Sequence, residues 1–306
     1  METLQTIVKY YLSDCKCQKC LDSKTIKAYQ IDLSQFLKFT IAEFPSEVTP
    51  DIIETFIAQL HKTYKPKSAK RKIASLKAFF HYLEFKDMIE KNPFNKIRVH
   101  FREPEILPKT IPLDELQQFL ATISRQCRLA PTEYQRRNAI RDLAVFELLF
   151  ATGMRISELC ALKPQDIKLS DGTILIYGKG SKERRLQIGT PEVLQEMRQY
   201  HETFSKEITA CDHFFANQSG RPLSDQAVRR MLRKYCSLAA VETHATPHMF
   251  RHTFATSLLE ADVDIRYIQE MLGHSSITIT EIYTHVAVSK QRDILSTKHP
   301  RNHFTF

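Results

Sequence analysis

Gly172-Thr-Ile-Leu-Ile-Tyr177-Gly-Lys179-Gly-Ser-Lys182-Glu-Arg184-Arg-Leu-Gln-Ile188 breaks the pattern of the chain around it. Residues 173–177 and 184–188 are rich in β-branched side chains and flank a Gly-Lys-Gly-Ser-Lys tip, so the stretch predicts a β-hairpin with a basic turn. Apolar residues on both sides of it recur at helical spacing instead. The expected fold is therefore mainly α with a small β-sheet.

On the N-terminal side, Ile26, Tyr29, Leu33, Phe36 and Leu37 trace one helix face, and Ile52, Ile53, Phe56, Ile57 and Leu60 a second. Thr49 before Pro50 is a natural N-cap and first-turn pair for that second helix. Ile73, Leu76, Phe80 and Leu83 mark a third, and Asn92-Pro93 closes the region, giving a small helical domain over 1–96. Pro104, Pro108 and Pro112 punctuate a polar stretch, 97–112, expected to be a linker. Residues 113–306 form the second expected domain, with helices around 113–123 and 139–150 separated by a basic polar segment holding Arg125, Arg128, Arg136 and Arg137, and helices again after Pro191.

A chain of 306 residues with 42% hydrophobic content can bury two cores, and its formal net charge of +9 suits a polyanionic partner. Lys62, Lys65, Lys67, Lys70, Arg71 and Lys72 cluster with no acidic residue among them, a pattern that fits phosphate contacts or a solvated face. No apolar run approaches the roughly 20 residues of a membrane span, and Glu2 stands where a secretory leader would be basic, so a cytoplasmic protein with no membrane partner is expected. Cys127, Cys160, Cys211 and Cys236 read as scattered reduced thiols. Cys15, Cys17 and Cys20 could supply part of a zinc site, but no second Cys or His pair lies near; a short N-terminal turn with free thiols, and no metal, is the expectation. Neither a Gly-rich phosphate loop nor a carboxylate pair for two-metal hydrolysis is apparent, and no cofactor is expected.

Three further segments carry chemistry: Ala151-Thr-Gly-Met-Arg155-Ile-Ser-Glu158-Leu, Thr246-Pro-His248-Met-Phe-Arg251-His252, and Leu272-Gly-His274 followed by Tyr283-Thr-His-Val. With the basic hairpin, their ordered combination resembles the tyrosine site-specific recombinases, most closely the Xer-type branch, over nearly the whole chain to Val286. The chemistry explains the set. Breaking a phosphodiester with protein groups alone requires a nucleophile, cations for the phosphorane, a base and an acid.

The resemblance implies a two-domain, C-shaped DNA clamp: a SAM-like core-binding domain joined to a catalytic domain. It implies Tyr283 as nucleophile, Arg155 and Arg251 as phosphate clamps, His248 as base or base-orienting group, and His274 as a phosphate donor. Guanidinium forks can hold two nonbridging oxygens, which a lysine would meet only as a point charge. Lys179 is the implied general acid, with Lys182 as the alternative. Glu158 is the implied accessory acid, orienting Arg155 or a histidine, or else a plain helix-capping carboxylate. His252 is expected to be a structural neighbour. Lys65, Lys67, Lys70, Arg71, Lys72 and Lys182 are the expected DNA contacts.

The implied partners are double-stranded recombination sites and a tetramer, of this chain alone or with a related recombinase. Chromosome or plasmid dimer resolution fits a chain whose basic helical domain begins almost at once; the long 124–138 segment also fits a mobile-element integrase. Two other classes share features of the set: a relaxing type IB-like topoisomerase, and a DNA-binding accessory protein without catalysis. A short helix within 286–306, built on Val288, Ile294 and Leu295, is expected to dock on a neighbouring subunit; the alternative is a frayed tail.

Overall fold

The computed structural model describes residues 2–99, 108–178 and 183–273. The chain divides into two compact units, Met1–Glu105 and Ile106–Phe306. No described helix is long and apolar enough to cross a membrane.

The first unit holds α1 (Leu4–Cys17), α2 (Ser23–Phe39), α3 (Pro50–Thr63) and α4 (Pro66–Phe85), with single 3-10 turns at Pro45–Glu47 and Pro93–Lys96. Side chains ahead of the first three helices satisfy otherwise orphaned amides: Thr3 accepts the Thr6 N–H, Asp22 the Thr25 N–H at 2.9 Å, and Thr49 the Ile52 N–H at 3.4 Å. Tyr11, Phe36, Phe56, Phe79 and Phe80 interlock in the core, mostly edge to face, the arrangement that aromatic quadrupoles favour.

One expectation changes in this unit. The Cys15-x-Cys17 run ends a 14-residue helix rather than forming a short turn, because Leu4, Ile7, Val8, Tyr11 and Cys15 share one buried face. Among the described residues no three His, Cys, Asp or Glu side chains gather as metal ligands. Moreover, α4 starts at Pro66, well before its first large apolar residue, so Lys67, Lys70, Arg71 and Lys72 lie on its opening turns.

The second unit comprises α5 (Leu113–Leu129), α6 (Glu133–Thr152), α7 (Ile156–Ala161), β1 (Ile167–Lys168), β2 (Thr173–Tyr177), β3 (Glu183–Gln187), α8 (Pro191–Thr203), α9 (Ser205–Cys211), α10 (Asp225–Leu238), α11 (Pro247–Glu260) and α12 (Ile265–Leu272). The sheet is antiparallel in the order β1-β2-β3, with Ile174 opposite Leu186 and Ile176 opposite Arg184. Its inner face adds Ile174, Ile176 and Leu186 to the main core.

Helix α6 runs through the middle of this unit, packed by α5, α8 and α11, which is why residues 139–149 are buried on nearly every side. That burial includes Arg141 and Asp142. Arg141 donates through Nε and Nη2 to Asp142 Oδ1 at 2.9 and 2.6 Å, and the Tyr235 hydroxyl donates to Oδ2 at 3.0 Å. Burial still pushes the Asp142 carboxyl above its usual range, against the pull of Arg141. The polar segment expected between α5 and α6 is itself mostly helical; only 130–132 separates the two, with Thr132 capping α6 through the Gln135 N–H.

Candidate active site

Helix α6 ends at Gly153, whose left-handed backbone (φ +60°) returns its N–H to the Leu149 carbonyl at 3.1 Å. Glycine is required there twice over: for the positive φ, and because a Cβ would strike the Phe254 ring. The tight stop lets Arg155 become the extended N-cap of α7. Glu158, at the third position of that helix, reaches back to the Arg155 N–H at 2.9 Å and to its Nη1 at 2.8 Å.

Glu158 thus caps the helix and also holds the Arg155 guanidinium. A second guanidinium completes its coordination. Arg184, from β3, donates Nη1 and Nη2 to the two carboxylate oxygens at 3.1 and 2.7 Å, and Nε to the Met271 carbonyl at 2.9 Å. Burial alone would raise the Glu158 carboxyl; the Arg184 fork, the Arg155 N–H and the Arg155 guanidinium together hold it below the usual carboxylate range. The Arg155 side chain stays 36% exposed, whereas that of Glu158 is 7% exposed.

Helix α11 opens with Thr246 as N-cap and Pro247 in its first turn, so His248 and Arg251 fall one turn apart. Phe250 anchors it in the main core, while Phe254 and Leu258 pack with the smaller cluster shared with α12. Arg251 is only 4% exposed. It donates Nη1 to the Gly153 carbonyl at 2.9 Å and Nη2 to the Leu272 carbonyl at 2.7 Å. His248 is exposed and His252 half-buried. Burial first, then the neighbouring His248 and Arg251 charges, push the His252 imidazole down to about 4, so it is neutral at physiological pH.

Arg155, Glu158, Tyr177, Gly178, Arg184 and Gly273 all line one cavity of about 1040 Å³. Gly178 immediately precedes Lys179 in the chain, and Gly273 immediately precedes His274. Lys179, Lys182, His274 and Tyr283 lie outside the described residues, as does 286–306. Of the named site residues within them, Arg155 and Glu158 bond to each other, Arg251 bonds to the carbonyl of Gly153 two residues before Arg155, and His248 sits one turn from Arg251 on α11.

The basic cluster of the first unit is split. Lys65, Lys67 and Lys70 are exposed. Arg71 bonds to Asp32 yet keeps a side chain 47% exposed. Lys72 does not belong with them: it is 5% exposed, its ammonium held by Asp32 at 3.0 Å and Gln35 at 2.6 Å. Its position on α4, in line with Ile73 and Leu76 rather than with Lys70, turns it into the bundle, where the Asp32 carboxylate balances its charge and Gln35 accepts a second hydrogen bond.

Two features escaped the sequence reading. Arg184 was visible only as part of a basic hairpin, although its register opposite the inward Ile176 marks it as an inward-facing arginine. On α10, Arg229, Arg230 and Arg233 are exposed opposite the buried Val228, Met231, Leu232 and Tyr235. Helical periodicity of basic residues through 225–238 was the available signal.

Comparison with known proteins places the chain among relatives. Residues 109–290 match the phage integrase family, and residues 8–86 match the phage integrase N-terminal SAM-like domain. A tyrosine recombinase of Agathobacter rectalis is 63% identical over the full length of both chains. The tyrosine recombinase XerC of Thermodesulfovibrio yellowstonii is 34% identical over 98% of each. The fold is shared with the XerH site-specific recombinase bound to a palindromic difH substrate in a post-cleavage complex, at TM-score 0.73 and 23% identity, over 92% of this chain and 82% of that one. With a family model matching residues 109–290 and relatives of one kind aligned over the whole chain, the chain belongs to the phage integrase family, as a tyrosine recombinase of the Xer-like branch.

Proposed function

We propose that this site-specific recombinase breaks one DNA strand by attack of the Tyr283 hydroxyl on the scissile phosphate, with Arg155 and Arg251 on the nonbridging oxygens. One observation carries the reading. Arg251 bonds to the carbonyl of Gly153, two residues before Arg155, so a segment distant in sequence anchors a second arginine to the turn from which Arg155 follows. An unperturbed tyrosine, with a pKa near 10, is almost wholly protonated at neutral pH. His248 accepts its proton or orients the group that does, and His274 donates to the phosphate. The bond from phosphorus to the 5′ oxygen breaks as that from Tyr283 forms, and Lys179 gives the leaving oxygen its proton. The 3′-phosphotyrosyl bond conserves the ester's energy for rejoining to a second strand.

The substrate in this reading is a pair of duplex recombination sites held by a tetramer, working in the cytoplasm. The palindromic substrate of the XerH complex fits two copies of one chain on one site, and synapsis of two such sites gives the tetramer. Lys65, Lys67, Lys70 and Arg71 grip phosphates from the helical unit, the exposed α10 arginines from the other. Replacing Lys65, Lys67 and Lys70 together with Gln is expected to lower the slope of log affinity against log salt by about 0.9 per lost contact. A slope equal to that of the unmodified protein would return these lysines to an ordinary solvated face.

The division of labour between Lys179 and Arg155 is tested by a leaving-group exchange. Lys179→Ala should slow single-turnover cleavage about 10²–10⁴-fold, and a sulfur in place of the bridging 5′ oxygen should restore most of the rate, since a thiolate leaves without an acid. Arg155→Ala should gain nothing from sulfur, because the nonbridging oxygens are unchanged. Selective rescue of Lys182→Ala instead would move the acid to the other end of the turn, and rescue of neither lysine variant would place it elsewhere.

A further inference from the structure

We propose that Arg184 is a positioning residue, which keeps one net positive charge at the Arg155 clamp and ties β3 to the end of α12. The inference rests on the reading of Arg155 as a phosphate clamp.

The geometry is a closed circuit of charge-assisted hydrogen bonds. Starting at the α6 stop, the Gly153 carbonyl accepts from Arg251, whose other nitrogen donates to the Leu272 carbonyl. The adjacent Met271 carbonyl accepts from Arg184 Nε. The Arg184 fork then grips Glu158, and Glu158 holds Arg155, two residues beyond Gly153. Arg184 is the member that joins β3 to both α7 and α12. Its side chain is 9% exposed, and its Cδ and Nη1 lie 3.0 Å from where a Cβ on Gly273 would be. Sequence continuity runs from this circuit straight into the residues assigned to chemistry: residues 179–182 precede β3, and His274 follows Gly273.

Charge decides what the contact does. Arg155, Arg184 and Glu158 carry two positive charges and one negative, leaving one positive charge at the cavity wall where Arg155 is part-exposed. Without Arg184, the buried carboxylate would have Arg155 as its guanidinium partner. The two would neutralise each other, and a lone buried carboxylate holds such a partner strongly. A phosphate would then meet a clamp with no net charge. Packing alone predicts something different, namely a loss of stability that removing Glu158's charge could not repair.

The test compares Arg184→Ala, Arg184→Lys and the double variant Arg184→Ala/Glu158→Gln by single-turnover cleavage of a nicked site at saturating protein, with DNA affinity and thermal melting measured separately. Arg184→Ala is expected to cleave roughly 10²-fold more slowly, the scale of losing one preorganised donor, with Kd for DNA changed less than about threefold. Adding Glu158→Gln restores the net positive charge and is expected to recover at least about tenfold. Arg184→Lys keeps the charge but not the fork, and should fall about tenfold. Wild-type rates for Arg184→Ala, a defect confined to Kd, or no recovery in the double variant would overturn the proposal. If Arg184→Ala melts below the assay temperature, Arg184→Lys decides, and a wild-type cleavage rate for it refutes the role. Failure of the unmodified protein to form any covalent adduct would instead bring down the catalytic reading on which the proposal stands.

Discussion

Tyr283→Phe leaves DNA bound and uncut. The substitution removes one oxygen and no charge, so affinity for a duplex site should stay within about twofold, while formation of the covalent adduct falls by roughly 10⁴ or more, the scale seen when a nucleophile is deleted. The check is a nicked site whose cleavage releases a short strand that diffuses away and traps the intermediate. Adduct formed at the normal rate by the phenylalanine variant would remove Tyr283 from the mechanism. Loss of binding and cleavage together would point to a structural tyrosine.

The second large effect belongs to Arg251. Arg251→Ala is expected to lower cleavage by about 10²–10³ at saturating DNA through the lost transition-state donor. It should also destabilise the fold. The Gly153 and Leu272 carbonyls lose their Arg251 donors, and an unsatisfied buried acceptor costs about 1–3 kcal/mol. Arg251→Lys does not repair this, since one ammonium lacks the planar fork that reaches two carbonyls from separate nitrogens. Cleavage rate and melting temperature should therefore fall together for both variants, in contrast to Arg155→Ala. The Arg155 side chain is part-exposed and bonds mainly to Glu158, which keeps the Arg184 fork, so its loss should affect the rate far more than the melting temperature. A fully active, fully stable Arg251→Lys variant would contradict both roles.

Much of this architecture was legible in the sequence because its signals are local. The hairpin announced itself through β-branched runs around a Gly-Lys-Gly turn, and its strands form at 173–177 and 183–187, within a residue of the pattern. Thr49-Pro50 and Thr246-Pro247 open helices as N-cap and first-turn residues should, although Thr246 makes no capping bond through its side chain. The Gly153 stop, a glycine after an apolar helical run, places Arg155 at a helix start beside a cavity.

The signals that failed are either intrinsic helix propensity outvoted by polarity or partners distant in sequence. The expected polar stretch between α5 and α6 is helical because residues such as Arg125, Gln126, Arg128 and Arg136 are good helix formers even where no apolar face demands it. Strand β1 has two residues and exists only by pairing with β2. Lys72 looked like its neighbours until Asp32, forty residues earlier, drew it inward. Arg184 carried no role in the sequence, since neither Glu158 nor the Met271 carbonyl can be assigned to it without the fold. A charge run records composition, whereas the direction of each side chain is set by the helix face or strand side on which it falls.

The central claim is that DNA is cut by a tyrosine of this chain, through groups of the chain itself. Its most direct test is to trap the adduct on a nicked site in excess EDTA, digest the protein and locate the attached nucleotide by mass spectrometry. The account predicts full adduct yield with the nucleotide on Tyr283. Attachment at any other residue, or an adduct that appears only after magnesium is added, would contradict it.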